Sequence, residues 1–205
     1  NLSWKKFSKI SNHLYDLNGV KPVISISRNY AFKENFTHLI GYVSQANEND
    51  IENTESIKKN FVPGLKVGKT GLEKALEAQL IGTNDIERYE VNAYGRRISQ
   101  LEFQKGEKGK NIRLTIDLEV QKLANELLKD KAGSICVMDI YSGEIIAMHS
   151  GPSFDPNLFV FGISKDEWQL IRNDPMKPLV NKSLQGNYSP GSTIKPLVAL
   201  SALEN

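Results

Sequence analysis

The chain has almost no cysteine. Among its 205 residues only Cys136 carries a thiol, which excludes an internal disulfide and any multi-cysteine metal site. Set in the apolar run from Ser134 to Asp139, this lone cysteine reads as a small buried hydrophobe. No apolar run approaches the ~20 residues that span a bilayer, and no secretory leader pattern stands at the N-terminus. Nor does one sign of charge dominate: 26 basic and 24 acidic residues leave a net +2. There is no basic stripe, so nucleic acid is not implied as a partner. The three histidines, His13, His38 and His149, lack metal-ligand spacing, and no repeat or low-complexity tract is present.

What remains is ordinary globular composition, 40% hydrophobic and 24% charged, enough for one sizeable core or two modest ones. The segment from Val20 to Arg28 suggests a strand. Thr37–Val43 fits helix or strand, and Asn47–Asn60 fits a solvated helix or a loop. Gly68-Lys69-Thr70-Gly71 is a turn leading into an amphipathic helix over Leu72–Leu80 that ends at Gly82. Glu90–Ala93 and Arg97–Phe103 read as strands around Tyr94-Gly95, and Lys105–Lys110 as a linker. Beyond it the pattern sharpens. Ile112–Ile116 alternates as a strand, and Asp117 is a natural N-cap for a helix carrying Leu118, Val120, Leu123, Ala124, Leu127 and Leu128. Ser134–Asp139 and Glu144–Met148 form a hairpin through Ser142-Gly143. From Ser150 to Gly186 runs a long Pro- and Asn-rich connection, of the kind that tends to line functional sites.

The chemistry concentrates in Tyr188-Ser189-Pro190-Gly191-Ser192-Thr193-Ile194-Lys195-Pro196. Ser192 and Lys195 stand at i and i+3, on one helix face. A serine hydroxyl becomes a competent nucleophile only when a nearby base takes its proton. Lysine serves as that base when desolvation or a neighbouring cation lowers its pKa. The Pro-Gly turn before Ser192 and the apolar stripe Leu197, Val198, Leu200 and Leu203 after it predict a buried, rigidly held pair. Pro196 falls in the first turn, where its missing N–H is harmless.

Ser-x-x-Lys alone is weak, since it also occurs at Ser3…Lys6 and Ser56…Lys59, both in polar segments that read as solvated surface. Lys69-Thr70-Gly71 copies one motif of penicillin-recognising enzymes but lies upstream of the serine rather than downstream. A phosphate loop is excluded there, because Gly64 and Gly68 bracket three residues where four are needed. Asp139 and Asp155 sit in turn-like contexts, so capping or turn roles are their default.

Taken in order, several segments resemble the class B penicillin-binding proteins, nearest those of the rod-elongation type (penicillin-binding protein 2). They are Arg28-Asn29-Tyr30, His38–Val43, Gly68–Glu73, Val91–Arg96, Leu114–Gln121, Gly143–Met148, Phe154–Phe159, Asn181–Gly186 and Tyr188–Pro196. The resemblance implies an α+β chain: a non-catalytic pedestal, or dimerisation-type domain, over residues 1–109. The opening of a transpeptidase domain of serine β-lactamase-like fold would follow over 110–205. It implies that Ser192 attacks the penultimate D-alanine of a peptidoglycan stem while Lys195 accepts the serine proton. The Ser192 N–H would supply half of an oxyanion hole, with Gly191, Thr193 and Asp155 in the substrate region. D-Ala-D-Ala stems and β-lactams are the implied ligands. A membrane cell-wall polymerase and an elongation scaffold are the implied partners of the pedestal; no cofactor or metal is implied.

The implied location is the periplasmic face of the bacterial inner membrane, with an anchoring helix outside this sequence. Lys182 stands where the family usually carries arginine and Ser189 where proline is common. The downstream Ser-x-Asn and Lys-Thr-Gly motifs are absent, and both ends look cut. The chain is therefore expected to be a fragment, inactive alone. Two other readings stay open: an interaction or regulatory module, and a β-lactam sensor or β-lactamase with the same Ser-x-x-Lys.

Overall fold

The computed structural model describes residues 4–17, 19–20 and 27–204; the strand expected over Val20–Arg28 falls largely outside them. In chain order come helices α1 (Trp4–Ser11) and α2 (Thr37–Ile40), strand β1 (Val43–Gln45), and helices α3 (Glu48–Asn53) and α4 (Glu55–Lys59). Strand β2 (Lys66–Gly68), helices α5 (Gly71–Ala75) and α6 (Glu77–Leu80), and strands β3 (Ile86–Val91) and β4 (Arg97–Gln104) follow. Then come helix α7 (Leu118–Leu127) and strands β5 (Gly133–Met138) and β6 (Ile145–Gly151). Helices α8 (Asn157–Val160), α9 (Lys165–Asn173), α10 (Lys182–Gln185) and α11 (Lys195–Glu204) close the order. The strands pair in sequence order into antiparallel two-stranded sheets, which makes the chain α+β.

The chain forms two compact units. One joins residues 1–114 to a second segment, 154–170; the other joins 115–153 to 171–205. The division is discontinuous in sequence, with 154–170 in the first unit.

In the first unit β1 and β2 pair with Val43 opposite Gly68. The tight corner before β1 needs Gly41: its φ is +84°, and a Cβ there would lie 1.9 Å from the Thr70 carbonyl oxygen. Tyr30, Val43 and Val160 form the core, with Ile40 and Tyr42 packed against it. Phe159 of α8 stacks on Tyr42 at 4.3 Å and meets Phe154 edge-on at 5.4 Å, geometries that suit aromatic quadrupoles. The Asn47 side chain accepts from the Asp50 N–H and the Asp50 carboxylate accepts from the Asn47 N–H, closing a capping box at the start of α3.

The helix expected over Leu72–Leu80 is broken at Leu76, whose φ and ψ are −110° and 16°. The residues it buries are Glu73 and Glu77 rather than leucines. The β3–β4 hairpin is exposed along almost its whole length, and Asn92 closes its turn by accepting from the Tyr94 and Arg96 N–H groups. The expected linker is pinned: the Thr83 N–H donates to the Glu107 carbonyl and the Lys110 N–H to that of Gln79, both at 2.8 Å.

In the second unit Asp117 caps α7 as its position predicts, accepting from the Glu119 and Val120 N–H groups. The Ile112–Ile116 segment is not a strand; near β6 it contributes a Thr115 hydroxyl bond to the Ile145 carbonyl, and the Asp117 N–H donates to that of Ile146. Helix α7 packs on β6, burying Gln121 and Ala124, while Leu123 and Leu127 are 53% and 55% exposed. The β5–β6 hairpin stands as expected. Cys136 on β5 is exposed, not buried, because Val137 and Met138 beside it are also uncovered in this unit.

Candidate active site

The approach to Ser192 is built from β6 and α10. Ser150, fully buried at the end of β6, donates its hydroxyl to the Val180 carbonyl and accepts the Lys182 N–H at 2.9 Å. The Ser183 hydroxyl donates to the His149 carbonyl, and the Asn181 side chain caps α10 by accepting the Ser183 N–H. These bonds staple α10 to the strand end. The buried Lys182 donates its amine to the Lys177 carbonyl at 3.0 Å, in a turn where Lys177 has φ of +50°. Burial holds the Lys182 ammonium below the usual lysine range, and Asp174 offsets part of that.

Beyond Gly186 the chain reaches the motif. Gly191–Ile194 form a 3-10 turn that runs directly into α11 at Lys195, whose N–H donates to the Ser192 carbonyl. Gly191 has φ of +55°, a backbone state that a side-chain-bearing residue adopts only with strain, so glycine at this position sets the turn. The Thr193 hydroxyl donates to the Pro190 carbonyl. Ser192 and Lys195 thus lie on one continuous helical path.

Their expected burial is not found. Gly191 through Leu200 are exposed, and Leu197, Val198, Leu200 and Leu203 are 70%, 60%, 60% and 83% exposed. An apolar pattern gives what a helix can bury, not what covers it. Apolar residues run round α11 rather than along one stripe, which suits a helix enclosed on all sides, and no residue of α11 is buried.

Asp155 lies in the first unit. Its carboxylate accepts from the N–H and the side-chain amide of Asn157 at 2.9 and 2.7 Å, the turn role its context predicts. Of the two competing Ser-x-x-Lys matches, Ser3 lies outside the described residues. Ser56 is half-buried, and among the described residues its buried hydroxyl has no hydrogen-bond partner, while Lys59 pairs with Glu55 at 3.6 Å on the outside of α4. Among the described residues no group of His, Cys, Asp and Glu could hold a metal.

A second cluster, unmarked by spacing in the sequence, organises the first unit. Arg28 donates to both Glu73 oxygens, Nε at 2.8 Å and Nη2 at 3.0 Å, the fork geometry that makes arginine–carboxylate pairs strong. The Tyr30 hydroxyl donates to Glu73 and accepts the Val43 N–H. Burial, reinforced by the Glu73 carboxylate, raises the Tyr30 phenol pKa. Asn157 brackets the Tyr30 backbone, accepting its N–H at 2.9 Å and donating to its carbonyl at 3.0 Å. Glu77 accepts the Gly68 N–H at 2.5 Å. Burial pushes its carboxyl above the usual range; the Gly68 bond offsets part of this and the Glu73 carboxylate adds to it. A carboxylate at i and i+4 among leucines was the available sequence signal for this cluster.

Arg28, Tyr30, Val43, Glu73 and Asn157 come from four of the segments that carried the family resemblance, and here they close one network. Comparison with known proteins agrees. Residues 1–114 match the penicillin-binding protein dimerisation domain, and residues 133–205 match the penicillin-binding protein transpeptidase domain. The chain belongs to the penicillin-binding proteins that carry these two domains. It is 39% identical over 205 residues to the peptidoglycan D,D-transpeptidase MrdA of Escherichia coli K12, covering 99% of this chain and 32% of that protein.

Among solved structures it is similar to penicillin-binding protein PBP2 in its complex with MreC from Helicobacter pylori. The TM-score is 0.86 at 32% identity, covering 100% of this chain and 37% of that one. It is also similar to Pseudomonas aeruginosa PBP2 in complex with WCK 5153, with a TM-score of 0.73 at 36% identity over 89% of this chain and 36% of that one. The chain spans about a third of the length of these relatives. No described helix is long and apolar enough to cross a membrane.

Proposed function

We propose that this chain is the pedestal (residues 1–109) and the opening of the transpeptidase domain (110–205) of an elongation-type peptidoglycan D,D-transpeptidase. The observation that carries the reading is the Ser192–Lys195 turn entering α11 within a match that runs the length of the chain. In the whole enzyme Ser192 Oγ attacks the carbonyl of the penultimate D-alanine while Lys195 takes its proton. The C–N bond to the terminal D-alanine breaks, and that residue leaves as a protonated amine. The amine of a neighbouring stem then attacks the ester, forming the cross-link and restoring the Ser192 hydroxyl. The Ser192 N–H stabilises the oxyanion, and Gly191 and Thr193 shape the substrate region. β-Lactams acylate the same oxygen, at the periplasmic face of the inner membrane.

Alone, this chain does not acylate, because Ser192 and Lys195 are both exposed and a base of this kind acts through desolvation. Fluorescent penicillin is therefore expected to leave the 205-residue chain unlabelled. It should label the full-length protein in a manner abolished by Ser192→Ala. Stoichiometric labelling of the short chain at Ser192 would overturn the first statement, and labelling of the full-length Ser192→Ala variant the second.

A second role rests on the first unit, which forms its own buried network. As a pedestal it would dock a membrane cell-wall polymerase and the elongation scaffold; the similar Helicobacter pylori protein was solved with MreC. Pull-down of the polymerase by the short chain tests this independently of acylation.

A further inference from the structure

A cavity of about 550 Å³ opens in the first unit, lined by Ser27, Arg28, Asn29, Leu65 and Lys66 among others. Its size falls within the range of small-ligand sites. Among the described residues two cations stand in its wall and no acid does. Their situations differ. The Arg28 charge is matched by the bidentate Glu73 pair. Among the described residues the Lys66 amine has neutral partners: it donates to the Ser27 hydroxyl at 3.1 Å and lies 4.1 Å from the centre of the Phe161 ring.

Burial holds the Lys66 ammonium below the usual lysine range, with no carboxylate opposing the shift. A half-buried cation has lost part of its hydration, and a hydroxyl with a ring face returns less than an anion does. One uncompensated positive charge beside one hydroxyl matches a single carboxylate, which carries one negative charge and accepts from both groups. A phosphate, at about −1.5 to −2, exceeds what one free cation neutralises.

We propose that Lys66 and Ser27 form a carboxylate-binding site in the pedestal, separate from Ser192 and assigned no role in acyl transfer. The ligand class is a carboxylate, carried either by an acidic side chain of a polypeptide or by a small free acid.

Calorimetric titration of the 205-residue chain with glutarate, with a short peptide containing one glutamate, with inorganic phosphate, and with the neutral isostere glutaramide tests it. Glutarate or the peptide should bind at millimolar concentration and more weakly at high salt, and glutaramide at least tenfold more weakly. Lys66→Gln should cost at least tenfold in carboxylate affinity, and Lys66→Arg should retain most of it. If the peptide binds tenfold tighter than glutarate, the site serves polypeptides; equal binding assigns it to free acids. Either result supports the carboxylate site. Equal binding of glutaramide, tighter binding of phosphate, or unchanged affinity in a folded Lys66→Gln variant would overturn it. Should Lys66→Gln unfold the chain, a carboxylate-dependent shift of the Lys66 side-chain NMR signal in the unaltered protein decides, and its absence refutes the site.

Discussion

The two units treat their polar and apolar residues in opposite ways. In the first, a carboxylate is buried among its bonds: Glu73 is 4% exposed and accepts from Arg28 and Tyr30. In the second, a helix rich in leucine stands uncovered, with Leu203 83% exposed. Simple hydrophobicity ranks these segments the other way round. The difference teaches that burial follows what an element packs against, and that a polar side chain with every bond made can sit where an unpartnered leucine cannot. It also divides the chemistry. The first unit contains a finished network, whereas the Ser192 turn contains a finished backbone and unfinished surroundings.

The comparison can be broken at its strongest point first. Gln121, fully buried, bonds both the N–H and the carbonyl of Met148. Gln121→Ala leaves those two backbone groups orphaned, each at a cost of about 1–3 kcal/mol, read as lost hydrogen-exchange protection of the Met148 amide. Glu73→Ala removes the partner of Arg28 and the acceptor of Tyr30. Because the Arg28 side chain is 41% exposed, the cost should fall below that of a fully buried pair, about 2 kcal/mol in urea unfolding. Trp168, in the same unit, reports it by fluorescence.

Acidity offers a gentler probe. Folded Glu77 keeps its proton to higher pH than the unfolded chain, whose carboxyl titrates near the ordinary 4.5. The folded state therefore binds more protons above that pH, and stability falls as pH rises through the window. Glu77→Gln should remove this slope and leave the protein more stable at neutral pH; melting temperatures across pH 4–7 (about the carboxylate range) would show an unchanged slope if the cause lay elsewhere. Asp50 should act with opposite sign: burial raises its carboxyl, but the Asn47 N–H and Lys69 outweigh that and hold it low. Its contribution is present at neutral pH and lost as pH falls below the usual carboxylate range.

The smallest effect belongs to the exposed helix. Leu203→Ser should change the stability of this chain by less than about 0.5 kcal/mol, and Cys136 should react with a thiol reagent without unfolding. A large loss from Leu203→Ser, or a protected Cys136, would show that the second unit has a covered face after all.

Local signals were legible wherever one residue's chemistry decides a local bond. Asp117 as a cap, Tyr94-Gly95 and Ser142-Gly143 as turns, and Gly191 ahead of a helical serine could be read because caps and turns are satisfied within a few residues. The Ser192–Lys195 spacing was legible for the same reason. The leucines of α11, the single helix over Leu72–Leu80 and the burial of Cys136 were misjudged, because an apolar pattern states what a segment can bury without saying what arrives to cover it.

The sequence by itself determined the caps and hairpin turns, the family and the order of the serine and its lysine. Only the tertiary structure decided that Arg28, Tyr30, Glu73 and Asn157, spread over 130 positions of chain, make one network. It alone decided that residues 154–170 pack with the first unit and that the serine and lysine are exposed. Spacing along a chain fixes contacts over a turn or two of helix. Partners a hundred residues apart are chosen by the desolvation and hydrogen bonding of groups that meet only after folding.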